Sequence, residues 1–309
     1  MASLLHTQLS QLVSRFEPSK MQLREASASQ RRIRALLEAG TIGACVEDSF
    51  LIGSYARHTA IAPIDDIDIM VQVDPDHWTK GWPFRPNPLA VIATFQRAIK
   101  YRYPDNHVRK QRRSVGLLMS RRAIDVVPAL ATDESGVFRI PDVDEEAWLE
   151  TAPQLHAEAI TGINQENHGL VVPLIKLVKV WNQSLPSTAR LKSFAIETIV
   201  GRLYDAYQIS DLGEGLRDFY DFVVYCGPIG GPRASLRWDD DLDVSLGRFT
   251  AQAADLSGLD GNALAGVESS RCIKFVEKAR INRDRIQDAL DRPADANIRR
   301  QLARVFPAG

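Results

Sequence analysis

No run of about 18 consecutive apolar residues occurs in the 309-residue chain, so the sequence offers no membrane-spanning helix. Cysteine is scarce. Cys45, Cys226 and Cys272 stand far apart, and no C-x-x-C pair exists to build a zinc ribbon or a thioredoxin-type centre. The first residues, Met1 to Gln8, have neither the basic start nor the continuous apolar stretch of a secretory signal. These absences lead to the expectation of a reduced, cytoplasmic protein with no membrane partner. An excess of one charge sign is missing too. Lys and Arg number 38 against 39 Asp and Glu, a formal net charge of −1, which argues against an evenly basic nucleic-acid coat and leaves local patches open. What is present is the composition of a globular protein, with 45% hydrophobic and 25% charged residues. The length suits about two domains and a core that needs no disulfide.

The apolar spacing of Leu4, Leu5, Leu9, Leu12 and Val13, resumed after Pro18 by Leu23, Ala26, Ile33, Leu36 and Leu37, predicts two helices ending at Gly40. The texture then changes. Phe50–Ile52 reads as a short strand, and Ile67–Val73 alternates polar with apolar residues. A proline-rich loop from Pro75 to Pro88, a helix from Leu89 to Tyr101, and strands over 108–111, 114–119 and 123–127 follow. Pro128 is expected to end the last of these. The first half is therefore read as helix, then a mixed sheet of about four or five strands with one helix inserted. Beyond it the spacing is helical over 170–182, 193–207, 213–225 and 267–290. The expected architecture is α+β, with an α/β lobe over 1–150 and a helical lobe over 151–309.

Chemistry concentrates in Gly53-Ser54-Tyr55-Ala56-Arg57-His58-Thr59, followed by Asp66-Ile67-Asp68. A strand that ends in Gly-Ser lets backbone approach a ligand closely, adds a hydroxyl, and presents N–H groups to phosphate. On the following strand, Asp66 and Asp68 at i and i+2 project from one face. Two like charges held side by side call for a positive neutraliser, and a hard divalent cation with oxygen ligands is the natural one. Asp125 sits within an otherwise apolar strand, where an unpartnered acid is costly. Read alone it is equally an edge-strand charge. Beside the Asp66 strand, however, it would complete a three-carboxylate site for two Mg²⁺ or Mn²⁺ ions about 4 Å apart.

Gly53-Ser54-Tyr55-Ala56-Arg57, Asp66-Ile67-Asp68 and Asp125-Val126-Val127-Pro128-Ala129 resemble the core of DNA polymerase β-type nucleotidyltransferases. They are most similar to the bacterial relatives of cyclic GMP-AMP synthase and oligoadenylate synthase, the CD-NTases of anti-phage (CBASS) defence. Pro173-Leu174-Ile175-Lys176-Leu177-Val178-Lys179-Val180-Trp181 and Leu191-Lys192-Ser193-Phe194 resemble that family's lysine helix and the serine–aromatic step after it. The resemblance implies a polymerase β-like lobe completed by a helical lobe. It also implies an enzyme that joins nucleoside triphosphates into a cyclic di- or trinucleotide and releases pyrophosphate, the product acting on a separate effector protein. Asp66, Asp68 and Asp125 would be catalytic metal ligands. Gly53 and Ser54 would bind donor phosphates with Lys179 and Ser193, and Phe194 would stack on the donor base. His58 departs from the family, where glycine is usual.

Two other readings stay open: an RNA-end nucleotidyltransferase of the CCA-adding kind, and an inactive nucleotidyltransferase fold serving as a binding module. The stretch Arg85–Arg122, with ten Lys or Arg and one acid, is a solvated basic face, a nucleotide attractor, or a contact for a nucleic-acid or protein activator. Asn164 and Asn167, before the lysine helix, could read a base edge or be ordinary surface asparagines.

Overall fold

The structure is a computed structural model that describes residues 3–76, 87–120, 122–228, 238, 242–247 and 251–307. Most of the expected loop over 75–88 lies outside the described residues. So do residues 229–232 of the loop that the glycines and prolines over 227–232 predict, and Asp239–Asp241 of the acidic run over 239–243, which reads as a solvated turn. The chain divides into two compact units, Pro18–Leu155 and Met1–Glu17 with His156–Gly309.

Two helices open the chain, α1 (Leu4–Phe16) and α2 (Lys20–Ala39), broken at Pro18. Ser3 caps α1. Ser19 caps α2 and forms a reciprocal capping box with Gln22. The first unit then builds β1 (Val46–Ile52), a one-turn helix α3 (Gly53–Ala56), β2 (Asp66–Val73), α4 (Pro88–Arg102), β3 (His107–Lys110), β4 (Val115–Leu118), β5 (Ala123–Ala131), β6 (Phe138–Asp142) and β7 (Ala147–Thr151). The sheet has seven strands, ordered β1-β2-β5-β4-β3, with β6 added to β5 and β7 to β6. Among the described residues only β2 and β5 pair in parallel. One face of these central strands (Ile67, Ile69, Val71, Ile124, Val126) is buried in a core shared with Ile33 and Leu37 of α2 and with Ile92, Phe95 and Ile99 of α4. Each such buried side chain contributes about 1.5–3 kcal/mol.

Pro128 does not end β5, which runs on to Ala131. The Ala123 N–H donates to the Asp65 carbonyl on the β2 side, at 2.8 Å. Alternation along the strand then turns Pro128 to the opposite side. There the last β4 rung is Val115–Val126, and β6 joins only at Leu130. The missing N–H falls in a gap between ladder partners, where it costs nothing. The strands β6 and β7 were not anticipated, because Pro141 and the charges of Glu145, Glu146 and Glu150 mask their alternation.

Asp142, at the end of β6, is fully buried and accepts from Arg112 Nε at 2.8 Å and Arg113 Nε at 3.0 Å. Burial alone would raise its carboxyl, but the two guanidinium hydrogen bonds prevail and hold it down at about 2. A carboxyl depressed in the fold contributes stability above its unfolded value of about 4, and this is lost as pH falls toward 2. Thermal unfolding followed between pH 5 and 2 should therefore show Asp142→Asn losing less stability on acidification than the parent, from a lower starting point at pH 7.

The second unit is helical: α5 (Pro153–Glu166), α6 (Val171–Ser184), α7 (Ser193–Ala206), α8 (Leu212–Tyr225), a small hairpin of β8 (Val244–Leu246) with β9 (Ala251–Ala253), α9 (Ser269–Asp291) and α10 (Asp295–Val305). Its centre is Trp181 of α6, ringed by Phe219 and Tyr220 of α8 and Phe275 of α9 at centroid distances of 4.8–6.3 Å. The first helix belongs with this unit rather than with the α/β part. Leu5 lies against the bare Cα of Gly213, where a Cβ would stand 2.6 Å from Leu5 Cδ2, and Ser3 Oγ donates to Asp211 Oδ2 at 2.7 Å. Among the described residues no helix is long and apolar enough to cross a membrane.

Candidate active site

Three of the expected site residues meet on one sheet face of the first unit. Asp66 and Asp68 alternate with buried Ile67 on β2, and the parallel register sets Asp68 directly opposite Asp125 on β5. Directly opposed residues of neighbouring strands point to the same side. All three carboxylates thus lie on the face away from the α2/α4 core. Farther along, that face becomes a small apolar patch of Met70, Val127, Ala129 and Phe138.

The turn bearing Gly53 and Ser54 adjoins this face. β1 ends at Ile52, which pairs with Asp68. Gly53 follows with φ +73°, and a Cβ there would stand 1.9 Å from Asp68 Oδ2. Glycine is required twice over, for the left-handed backbone and for the close approach of the carboxylate. The Ser54 carbonyl accepts from the N–H groups of Thr59 and Ala60 at 3.0 and 3.1 Å, which closes the turn. His58, exposed at its corner, has φ +59°. The backbone there has the conformation that a glycine adopts freely and histidine adopts at a cost. His58→Gly is therefore expected to leave stability level or raise it by up to about 1 kcal/mol, read by denaturant unfolding; a clear loss would give the imidazole a structural role.

The electrostatics fit a cation-binding face. Burial, with the charges of Asp66 and Asp125, pushes the Asp68 carboxyl up to about 7 against the opposing field of Arg57. Asp125 is raised by burial and by Asp66, opposed by a hydrogen bond from Gln111 and by Arg109. Among the described residues no three His, Cys, Asp or Glu side chains stand close enough together to hold an ion as they are placed. Strand register aligns the triad without closing it into a ligand cage. Its donors are all carboxylate oxygens that repel one another, the set that suits a hard divalent cation.

Two residues here were not picked out from the sequence. Gln111 Nε2 donates to Asp125 Oδ1 at 3.0 Å, and between them passes Gly116 of β4, the residue paired with Asp125. A glycine inside a strand is a signal of close approach, but it does not say what approaches.

In the helical unit, Lys179 is buried and ion-paired at 2.5 Å with Glu197 of α7, which is itself fully buried. Lys176 pairs with Glu17 at 2.9 Å. Ser193 is exposed and opens α7. Phe194 beside it is 36% exposed and rests on the ring of His156 at a centroid distance of 4.7 Å, so it is not a core ring. His156 is held in turn by Asp255 at 2.7 Å. Asn167 is fully buried and bonded to the backbone of Ile163, Tyr204 and Ile209, while Asn164 accepts from the Val172 N–H. Asn167 is thus a buried brace of the fold rather than a surface residue, and Asn164 is tied to the start of α6 through its Oδ1.

The basic stretch is not one face. Arg112 and Arg113 are bound to Asp142, and Arg122 is buried against Glu25 at 2.9 Å. Arg85 and Arg121 lie outside the described residues.

Residues 4–164 match the family model described as the Second Messenger Oligonucleotide or Dinucleotide Synthetase domain. The chain belongs to this synthetase family. Gly53, Ser54, Asp66, Asp68 and Asp125 fall inside the matched region of this second-messenger synthetase; Lys179, Ser193 and Phe194 fall beyond it. A cyclic AMP-AMP-AMP synthase from an Acinetobacter species is 31% identical over 228 residues, covering 71% of this chain and 66% of the relative. Another of that name from Escherichia coli is 27% identical over 185 residues, 56% of this chain and 55% of the relative. The matches thus span two thirds or less of these curated relatives. Among solved structures, Escherichia coli CdnC with ATP superposes with a TM-score of 0.75 at 19% identity, covering 98% of both chains. Bradyrhizobium diazoefficiens CdnG with GTP gives 0.72 at 14% identity, covering 99% of this chain and 98% of that one. At such identity these two show the fold, and they show it along both units. The fold is the mixed α+β, polymerase β-like one expected from the motifs.

Proposed function

We propose that this second-messenger synthetase joins nucleoside triphosphates into a cyclic di- or trinucleotide with release of pyrophosphate, as a signal in anti-phage defence. The observation that carries the reading is the alignment of Asp66, Asp68 and Asp125 on one sheet face next to the glycine-pinned turn at Ser54. The names of the curated relatives favour ATP as the substrate and a ring of three adenylates. We place the reaction in the cytoplasm, where these triphosphates are found.

Asp66, Asp68 and Asp125 would hold two divalent cations. When bound, these supply the positive charge that the attacking and leaving oxygens need. The chain's own residues do the rest by positioning. The turn at Gly53–Ser54 presents a hydroxyl and backbone to the donor phosphates. Asp125, half-buried at the centre of the face, is placed to take the proton of the attacking ribose hydroxyl. That oxygen bonds to the α-phosphorus, and the bond from α-phosphorus to the bridging oxygen breaks with its electrons leaving on pyrophosphate. Exposed Phe194, steadied by His156, offers its ring to a base. Lys179 and Ser193 would bind donor phosphate in this reading, with Glu197 orienting the lysine. A separate effector protein would receive the product. The solved CdnC:HORMA-deltaN complex supports repeating the assay with a candidate protein partner present.

The 309-residue chain incubated with four NTPs and Mg²⁺ or Mn²⁺, without nucleic acid, should yield a small product that resists phosphatase, since a ring has no terminal phosphate. Extension of added tRNA, with no resistant small product, would overturn the reading in favour of an RNA-end enzyme. The internal neutralisation of Arg112, Arg113 and Arg122 speaks against the basic track such an enzyme needs.

A further inference from the structure

We infer that Gln111 is a positioning residue that holds the Asp125 carboxylate ready for its cation, and that position 116 is glycine to let it do so. The inference rests on the metal assignment proposed above. Gln111 lies just past β3, and β4 runs between β3 and β5, so its amide reaches Asp125 across an intervening strand. The crossing is open only because the rung in between is Gly116. A Cβ there would stand 2.5 Å from Gln111 Nε2 and 3.1 Å from Asp125 Oδ1.

The amide is fixed from its other end as well. Buried Ser114 donates its hydroxyl to Gln111 Oε1 at 2.8 Å, and the Gln111 N–H donates to the Ser114 carbonyl at 2.9 Å. With its carbonyl oxygen occupied by a donor, the Gln111 side chain turns its NH₂ to Asp125, which settles the amide orientation by its partners. A carboxylate otherwise turns broadly about its last bond. Here one oxygen, Oδ1, is held, and that turning is restrained.

The choice of an amide has a physical reason. A primary amide donates a hydrogen bond but carries no net charge, so it restrains the carboxylate without cancelling it. A lysine or arginine reaching the same oxygen would form an ion pair that an incoming cation has to displace. Partners that orient a metal ligand in this way typically change metal affinity or activity about 10–100-fold when removed.

The test uses the full chain with a non-hydrolysable ATP analogue, free Mn²⁺ being measured by electron paramagnetic resonance, alongside the Mg²⁺ dependence of the rate. Gln111→Ala and Gly116→Ala should each weaken Mn²⁺ binding roughly 10-fold and raise the Mg²⁺ needed for half-maximal rate. The KM for NTP at saturating Mg²⁺ should stay near the parent value. The double variant should be no weaker than the worse single one, since both changes break one contact. Gln111→Lys should weaken Mn²⁺ binding more than Gln111→Ala, because its charge competes. Parent-like Mn²⁺ affinity in Gln111→Ala, even with a lowered Tm, would overturn the inference and leave the glutamine a brace of the sheet edge. Mn²⁺ binding that is equally tight in Asp68→Ala would strike the metal assignment itself; loss in Asp68→Ala with no effect of Gln111→Ala strikes the positioning role alone.

Discussion

Asp66→Ala combined with Asp68→Ala is expected to abolish nucleotide transfer and yet leave the protein no less stable. The loss follows from the donor set, because the two changes remove two of the three carboxylates aligned on the β2/β5 face. Charge stabilisation of several kcal/mol disappears with them, a fall in rate of roughly 10³-fold or more. The stability result follows from the same geometry read the other way. Burial and two neighbouring carboxylates raise Asp68 to about 7, so its ionised form is unfavourable in the fold, and removing it relieves repulsion. Melting without divalent ions should give a Tm level with the parent or above it, and the parent should gain more from added Mg²⁺ than the variant does. Activity surviving in the double variant would sink the assignment. A large fall in Tm would mean that these acids hold the sheet together.

The second large effect is expected at Gly53. In Gly53→Ala the new methyl meets Asp68 Oδ2 at 1.9 Å and Cγ at 2.9 Å, at a residue whose φ is +73°. The left-handed backbone costs about 1–2 kcal/mol, and Asp68 has to turn out of place. Unfolding should therefore show a stability loss of about 2 kcal/mol, with activity falling far more than stability accounts for. Gly169→Ala is the control. Its φ is +78°, with open space around the would-be Cβ, so it should lose a similar stability with activity retained. If both variants keep activity, the turn does not serve the acids.

A cleaner test of the helical unit falls on Phe194 than on Lys179. Removing Lys179 strips a charge from beside fully buried Glu197, a change of the kind that costs about 3–5 kcal/mol in stability. The sequence placed the lysine on a helix, and only the packing of α6 on α7 showed which charge it faces.

The sequence by itself determined the strongly periodic elements and the faces they present, though not β6, β7 or the end of β5. The alternation of Asp66-Ile67-Asp68-Ile69 fixes which side of β2 is buried, because successive side chains of a strand point opposite ways. Helix periodicity and the Ser3 and Ser19 caps fix α1 and α2 equally locally. The nucleotidyltransferase motif is legible for the same reason, since Gly53-Ser54 and the i, i+2 acids stand close together on one hairpin. What the residues by themselves left undecided is the relation between distant segments; Asp125 is joined to the other two acids only by the family resemblance. The tertiary structure alone set Asp125 opposite Asp68, drew Gln111 across Gly116, carried β5 past Pro128, and moved α1 to the helical unit. Local periodicity specifies the face of an element and not its neighbour; the neighbour is chosen by how all the buried faces close together over the whole chain.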